Sequence, residues 1–405
     1  MRKVLARTPG ATLALVILLL PAVVAAAAQS AGPVEKTLYS FRGGTDGIYP
    51  HAGLVRDSKG NFYGSTHDGG SVGCGTIFKL DHTGRESILH QFAVAPGDYG
   101  CAPEAGLLLD SAGNLFGTTY TCTDPSYCEG ELFKIDSAGN ETVLHNFLDP
   151  NGNLDAFSPA STLVRDAAGN LFATTSNDAV SGHGTVFKLD PVGNYSVLYW
   201  FTGGLDGNGN GPSGPSRSRL LVDPSGNLYG LTTSGGNPTF YAGGCGVAFK
   251  LTPDGNESVL HAFQGDDGCL PVGDLVQDNS GNLYGVTQYG GGHDNGVVFR
   301  VSDSGQETVL YSFRAGLDGQ PEGGVILDAV GNLYGTTTMG GDYHRGSVFK
   351  LDPAGKRTEV YSFTGGKDGG RPWGTLTTDG RGHLFGTTVD GGHAGMGTVF
   401  EITLR

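Results

Sequence analysis

Short apolar runs bounded by turn residues dominate the pattern of hydrophobic and polar positions along this chain. A typical run is Gly-Ser-Val-Phe-Lys-Leu at 346–351, and no stretch repeats apolar residues at helical spacing for three turns. Runs of this length, flanked by glycine, asparagine and aspartate, are typical of β-strands. The pattern therefore predicts an all-β protein.

One decapeptide recurs throughout the sequence. In its copy at 328–337 it reads Asp-Ala-Val-Gly-Asn-Leu-Tyr-Gly-Thr-Thr. The glycine that opens its core is found at Gly60, Gly113, Gly169, Gly226, Gly281, Gly331 and Gly382. This periodicity, rather than low complexity, accounts for the 71 glycines among 405 residues, because glycine serves turns and close packing at fixed offsets.

Each repeat divides into four strand segments, which in the first copy are 53–56, 61–66, 75–80 and 86–92. Four short strands in a unit of about 50 residues are the signature of a propeller blade. The third segment occurs seven times, but its last copy has no fourth segment after it; the missing one, at 35–41, precedes the first repeat. We therefore expect the two ends of the chain to complete one blade, which removes open sheet edges and closes a seven-bladed β-propeller of four-stranded blades over residues 35–405.

The spacing within the repeat distinguishes two faces of this predicted ring. In the first hairpin an aspartate always stands three residues before a glycine, as Asp57 does before Gly60. The third-strand glycine precedes the last phenylalanine of the fourth strand by 17 positions, as Gly75 does Phe92. The other connections vary in length. Fixed turns should therefore lie on one face and variable loops on the opposite face, where binding residues are usually displayed.

Six cysteines fall at positions that the repeat relates to one another. Cys74 and Cys245 each directly precede a third-strand glycine, and Cys101 and Cys269 each stand two residues before the proline that opens the next blade. Equivalent positions imply equivalent bridges. We therefore predict the pairs Cys74–Cys101, Cys245–Cys269 and, by remainder, Cys122–Cys128. All three would lie on the variable-loop face and would form in an oxidising compartment.

Residues 1–28 have the features of a cleaved export signal, with a basic start, an apolar run and a small-residue end. The alternative is an uncleaved membrane anchor, because the apolar run is nearly long enough to span a bilayer. Residues 29–34 form a short linker. Cleavage removes three of the 25 basic residues, and the remaining 22 against 40 acidic residues give a net charge of −18. Such a surface repels phosphate backbones, so we expect no nucleic-acid partner.

The position six residues before the hairpin aspartate changes its chemistry from blade to blade. Around the ring it is occupied by His51, Glu104, Ala160, Arg217, Val272, Glu322 and Trp373. We place this position at the mouth of the central channel and predict ligand binding there by His51, Glu104, Arg217, Glu322 and Trp373. A carboxylate beside an imidazole can do acid–base work or hold calcium or magnesium, and a tryptophan can stack on a sugar ring. The alternative is variation without function in an exposed ring.

Other aspartates and histidines are interpreted structurally. The hairpin aspartates are expected to bond to the backbone of their own turns, because no Asp-x-Asp-x-Asp-Gly calcium loop occurs. The same applies to the aspartates before glycine between blades, such as Asp46 and Asp318, where a weak calcium site is the alternative. Histidines between the second and third strands are interpreted as exposed loop residues: His67, His183, His293, His344 and His393. His90, His145 and His261 replace tyrosines of other copies and are expected to be structural.

The repeat resembles the GloVer tandem repeat of exported bacterial proteins. The resemblance rests on motifs that stand in this chain at 331–337, 184–191 and 308–313, and it covers everything after the leader. It implies an exported repeat protein of unassigned biochemistry, often with a C-terminal anchoring tail. Because this chain ends with the third strand of its last blade, we expect release rather than anchoring. More loosely, the blade layout is similar to propellers of the lactonase and virginiamycin B lyase kind, which include enzymes.

The sequence thus predicts a monomeric propeller that is secreted or periplasmic, with no membrane contact after signal cleavage. We expect non-catalytic binding of an extracellular glycan or protein through the variable-loop face. One alternative is an enzyme of the lyase or lactonase type with a divalent cation at the channel mouth; another is a purely structural surface repeat. No Gly-x-Ser-x-Gly elbow, His-Glu-x-x-His motif or phosphate loop is found. We predict no cofactor, with a calcium or magnesium ion as the alternative.

Overall fold

The computed structural model describes residues 32–92, 100–122, 130–147, 157–159, 161–177, 182–204, 218–236 and 243–404. Within these ranges the chain forms seven antiparallel sheets, each built on four strands that follow one another in space, and one two-stranded ribbon. The predicted all-β, seven-bladed propeller is confirmed. None of the described segments forms a helix long and apolar enough to cross a membrane. The expected leader at 1–28, Arg217 and Cys128 lie outside the described residues.

Each blade has four consecutive strands, from the innermost first strand to the outermost fourth strand, and the first strand has only two residues in six of the blades. The first strands are Val55–Arg56, Leu108–Leu109, Val164–Arg165, Leu221–Val222, Cys269–Gln277, Ile326–Leu327 and Thr377–Thr378. The second strands are Phe62–Thr66, Leu115–Thr119, Leu171–Asn177, Leu228–Thr232, Leu283–Tyr289, Leu333–Thr337 and His383–Asp390. The third strands are Thr76–Leu80, Glu131–Ile135, Thr185–Leu189, Val247–Leu251, Val297–Val301, Ser347–Leu351 and Thr398–Thr403. The fourth strands are Glu86–Gln91, Glu141–Asn146, Tyr195–Trp200, Glu257–Ala262, Glu307–Ser312, Arg357–Ser362 and Val34–Ser40.

A few short elements supplement the blades on the variable-loop face. Phe157–Pro159 and Gly370–Pro372 pair with the second strands of blades 3 and 7. Gly100–Cys101 pairs with Thr121–Cys122 as a small ribbon beside blade 2. A single 3₁₀ turn, Gly44–Asp46, lies in the connection from blade 7 to blade 1. These elements extend the blades towards the loops that surround the channel mouth.

The two ends of the chain form one sheet, as predicted. Val34–Ser40 pairs antiparallel with Thr398–Thr403, with Thr37 opposite Phe400 and Tyr39 opposite Val399. The N-terminal strand thereby becomes the outermost strand of blade 7. Every blade consequently has two packed neighbours, and the ring has no open blade-to-blade edge.

Phenylalanine pairs form the core between adjacent blades. Phe313, at the end of the fourth strand of blade 5, is fully buried and meets the edge of Phe349 in blade 6 at a centroid distance of 5.3 Å. The same pair occurs at all seven junctions, at 5.0–5.3 Å, including Phe41 with Phe78 across the closing seam. Edge-to-face contact is favourable for aromatic rings, so each junction is held by the same apolar contact.

The glycine of the Leu-Tyr-Gly motif is required by that core. A Cβ atom at Gly335 would lie 2.7 Å from Cζ of Phe349, which is closer than carbon atoms approach without displacement. Five other blades have the same contact between this glycine and the third-strand phenylalanine. Blade 3 carries Ala173 there, fully buried, so its phenylalanine accommodates one extra methyl group.

The hairpin aspartates bond to their own turns, as predicted. Oδ1 of Asp57 accepts hydrogen bonds from the backbone N–H groups of Lys59 and Asn61, at 2.9 and 2.8 Å. Oδ2 accepts one from the side-chain amide of Asn61 at 2.7 Å. The equivalent aspartate accepts backbone N–H groups in all seven blades. This is the Asx turn that fixes the length of the hairpin.

Two disulfides link consecutive blades on the variable-loop face. Cys74 is bonded to Cys101 and Cys245 to Cys269, with Cα–Cα distances of 4.5 and 4.4 Å. Both predicted pairs are confirmed, whereas the predicted Cys122–Cys128 pair involves a residue outside the described ranges. Disulfides persist in oxidising compartments, which favours a location outside the cytoplasm.

Candidate functional site

The mouth of the channel is built by a kink that most blades share. The residue before the opening proline has a left-handed backbone, with φ between 52° and 57°, at Tyr49, Ala102, Ser158, Leu270 and Arg371. This conformation is uncommon for residues other than glycine and occurs often at functional sites. The side chains predicted to line the mouth follow two positions later.

Contacts with the preceding blade hold this kink in place. The backbone N–H of Arg371 donates to the carbonyl of Arg345 at 2.7 Å, and the ring of Pro372 lies directly over Gly346, where a Cβ atom would come within 2.6 Å of it. Tyr49, Ala102 and Leu270 donate to the corresponding carbonyl of the preceding blade in the same way. Each mouth residue is therefore positioned by two blades.

An aromatic cluster occupies the mouth where blade 7 meets blade 1. The rings of His51 and Trp373 have centroids 4.9 Å apart. His67 lies 5.2 Å from His51 on the other side, and Tyr49 stacks at 6.5 Å. All four side chains are half-buried. Trp373 and His51, both predicted to line the mouth, therefore lie side by side, and we call these four residues the aromatic cluster.

His67 connects the aromatic cluster to Glu104. Its Nε2 lies 3.1 Å from Oε1 of Glu104 and its Nδ1 lies 2.7 Å from Oδ1 of Asp68. The hydrogen bond with Glu104, above all, raises the pKa of the His67 imidazole, since a carboxylate at each ring nitrogen favours the charged form. Glu104 itself is buried. His67 and Glu104 therefore form a pair at the edge of the cluster that can donate and accept a proton.

The interpretation of His67 as an exposed loop histidine is wrong. Its side chain is 26% exposed, because the residue continues the second strand towards the next blade instead of entering the loop. His183 is also half-buried, whereas His293, His344 and His393 are exposed, as expected.

Glu322 belongs to a different part of the mouth. The side-chain amide of Gln288, in blade 5, donates a hydrogen bond to Oε1 of Glu322. Gln288 follows the second-strand Thr287 just as His67 follows Thr66. The residue after this threonine thus pairs with the mouth residue of the next blade, and the sequence analysis missed this relation. The sequence contained a signal for this relation, because the residue after the second-strand threonine varies from blade to blade as widely as the mouth residue does.

A pocket of about 550 Å³ opens on the same face beside the aromatic cluster. Its lining includes Gln320, His344, Arg345, Arg371 and Asp390. The guanidinium of Arg371 binds both carboxylate oxygens of Asp390, with Nη2 to Oδ1 at 2.8 Å. Arg371, which lines the pocket, stands two residues before Trp373 of the aromatic cluster. We refer to the pocket and the aromatic cluster together as the mouth groove.

The channel below the mouth is lined mainly by aliphatic and threonine residues. A cavity of about 350 Å³ is bordered by residues in or just before the first strands of all seven blades. Its charged pair is Arg219 and Asp274, in which the backbone N–H of Arg219 donates to Oδ1 of Asp274 at 3.0 Å. The mouth groove therefore offers more room for a ligand than the channel does.

The expected cation ligands do not converge at the mouth. Within the described residues, only His261, Asp267 and Glu307 form a set of three potential metal ligands with atoms within 4.8 Å of one another. That set lies at the outer rim. At the mouth, Glu104 contacts His67 and Glu322 contacts Gln288, so His51, Glu104 and Glu322 do not form one ligand set for calcium or magnesium.

Several solved structures are similar to this chain at low sequence identity. The extracellular domain of a putative hybrid two-component system from B. thetaiotaomicron is 10% identical with a TM-score of 0.56; the match covers 89% of this chain and 39% of that one. A protein of unknown function from Dyadobacter fermentans is 11% identical with a TM-score of 0.50, covering 92% and 99%. A gluconolactonase from Xanthomonas campestris is 15% identical with a TM-score of 0.46, covering 92% and 89%.

These similarities show the fold alone. No curated protein sequence matches the chain at a significant level. The model of the Gloeobacter/Verrucomicrobia repeat matches residues 24–163, 126–322 and 304–405, and together these ranges cover nearly the whole chain. The resemblance inferred from the repeated motifs is thereby confirmed. This chain belongs to the Gloeobacter/Verrucomicrobia repeat family.

Proposed function

We propose that this protein is exported and binds an oligosaccharide in the mouth groove without transforming it. The observation that carries the proposal is the aromatic cluster, in which Trp373 and His51 lie 4.9 Å apart at the channel mouth. Aromatic faces stack on the apolar faces of sugar rings. A half-buried tryptophan beside a polar pocket is suited to such a ligand.

The polar half of the groove supplies directional contacts. Arg371 and Asp390 form a rigid bidentate pair whose remaining N–H groups and lone pairs can bind sugar hydroxyls. The pocket volume of about 550 Å³ lies within the range of small-molecule sites, roughly 300–1,000 Å³. The two disulfides on this face support export.

The test uses the mature chain and an array of neutral and acidic oligosaccharides. The chain has two tryptophans, and Trp200 lies on the outermost strand of blade 3, partly exposed. We expect Trp373→Ala to weaken binding of the array hit by roughly tenfold or more, because a stacking contact is lost. Trp200→Ala is the matched control and should bind normally.

Two results would overturn the proposal. One is the absence of any array hit for the wild-type chain. The other is equal binding by wild type and Trp373→Ala, measured by calorimetry at matched folding. If the bound oligosaccharide were cleaved, and Glu104→Gln abolished cleavage while preserving binding, the site would instead be catalytic.

A further inference from the structure

The outer rim of the ring carries a second set of polar contacts between blades. A histidine or tyrosine lies near the end of each fourth strand. It can face the start of the next fourth strand, as His90 does, whose Nε2 lies 3.5 Å from Oε2 of Glu141, and we call these places rim seams. In three of these rim seams the tyrosine hydroxyl donates to an aspartate of the connecting loop: Tyr39 to Asp46 at 2.6 Å, Tyr311 to Asp318 at 2.7 Å and Tyr361 to Asp368 at 3.0 Å.

One of these seams has its negative charge balanced. Nη1 of Arg357 lies 3.6 Å from Oδ1 of Asp318, and Nε of Arg314 lies 3.1 Å from Oδ2. The aspartate is thus paired with two guanidinium groups, which lower the pKa of its carboxyl against the effect of burial. The blade 5–6 seam is therefore complete without any additional ligand.

The seam between blades 4 and 5 has a different composition. His261 replaces the tyrosine, Asp267 comes from the connecting loop and Glu307 begins the fourth strand of blade 5. Nε2 of His261 lies 2.9 Å from Oδ2 of Asp267, and a ligand atom of Glu307 lies within 4.8 Å of both. Three residues that ligate metals are thus gathered from two blades and their connection.

The charge at this seam is not balanced by a permanent cation. In the part of the chain that the structure describes, no lysine or arginine lies within 4.0 Å of the carboxylates of Asp267 or Glu307. Oε1 of Glu307 is buried without a hydrogen-bond partner. Two adjacent carboxylates without a balancing positive charge repel each other, and a cation bound between them would remove this repulsion.

We propose that His261, Asp267 and Glu307 bind a zinc ion that joins blade 4 to blade 5. One imidazole nitrogen and two carboxylate oxygens match the ligands of zinc, which is four-coordinate with water in the remaining position. Calcium and magnesium prefer oxygen ligands throughout. The three ligand atoms lie within 4.8 Å of one another, and zinc would bind them at bond lengths of about 2.0–2.2 Å.

The proposed ion would reinforce a junction that is already cross-linked. Cys245 of blade 4 and Cys269 at the start of blade 5 form a disulfide, and Asp267 lies two residues before Cys269. Zinc at the rim and the disulfide on the loop face would hold the same connection at two points. Its role would accordingly be structural, and independent of the mouth groove.

The test compares untagged chains freed of metal with chelator, dialysed against zinc and measured by elemental analysis. We expect one zinc per wild-type chain and none above background in His261→Tyr. This substitution installs the residue found at four other rim seams, so the fold should be retained. Glu86→Gln, at the Tyr39 seam, is the matched control and should bind zinc as wild type does.

A thermal measurement provides the second readout. Free zinc at 100 times the dissociation constant should raise the Tm of wild type by about 3 °C, given the unfolding entropy of a chain this long. It should leave the Tm of His261→Tyr and of Glu307→Gln unchanged. A wild-type chain that retains no zinc, or a His261→Tyr chain that retains as much as wild type, would overturn the proposal.

Discussion

Replacement of Phe41 by alanine tests the closure of the ring more directly than any truncation. Phe41 follows the N-terminal strand, is fully buried and contacts Phe78 of blade 1 at a centroid distance of 5.2 Å. Its equivalent in an uninterrupted blade is Phe313, equally buried and 5.3 Å from Phe349. Phe313→Ala is therefore a matched control.

The two substitutions should destabilise the propeller by similar amounts. Removal of a buried phenylalanine ring costs about 3–5 kcal/mol, from lost transfer free energy and the cavity left behind. With an unfolding entropy of about 2.1 cal/mol/K per residue, this corresponds to a Tm drop of ~5 °C for a chain of this length. Differential scanning calorimetry and urea titration followed by far-UV circular dichroism would measure both variants.

The comparison separates a closed ring from an open one. If the N-terminal strand did not pair with blade 7, Phe41 would contact little, and its replacement would change Tm by less than about 1 °C while Phe313→Ala retained its full effect. That result would refute the closure and with it the count of seven complete blades. A greater loss for Phe41→Ala than for Phe313→Ala would instead indicate that opening the seam loosens both adjoining blades.

Two further predictions concern pH and packing. Burial, and then the charge of Asp46, raise the pKa of Glu86 to about 7 from 4.5, so its contribution to stability is complete below 4.5 and is lost as the pH rises through 7. Glu86→Gln should remove this loss, which is on the order of 1 kcal/mol after allowance for solvent screening. Urea titrations at pH 5 and pH 8 measure it, and a variant whose unfolding free energy changes between the two pH values as much as that of wild type would refute the prediction. Gly335→Ala should cost about 1–3 kcal/mol through contact with Phe349, whereas Ala173→Gly in blade 3 should relieve no clash and cost ~0.5–1 kcal/mol.

Periodicity in the sequence determined the architecture. The blade number follows from the seven copies of the third-strand glycine, and the closure by Val34–Ser40 follows from the displaced fourth-strand segment at 35–41. Both can be predicted because each blade forms from local hairpins, and the turn residues of these hairpins recur at fixed positions in every repeat. The pairing of Cys74 with Cys101 followed from the same equivalence. These features depend on residues that recur at fixed spacing within the repeat, and this spacing can be read from a single sequence.

The tertiary structure decided which side chains of different blades meet. His67 was assigned to an exposed loop, yet it contacts Glu104, which lies 37 positions later in the sequence. The contact forms because the end of the second strand of one blade lies beside the mouth residue of the next blade. His261 was interpreted as structural from its position alone, and only the packing of blade 4 on blade 5 brings Glu307 beside it. Contacts across a junction depend on how neighbouring sheets are staggered and on loops of unequal length, and neither is encoded in the spacing of a single repeat.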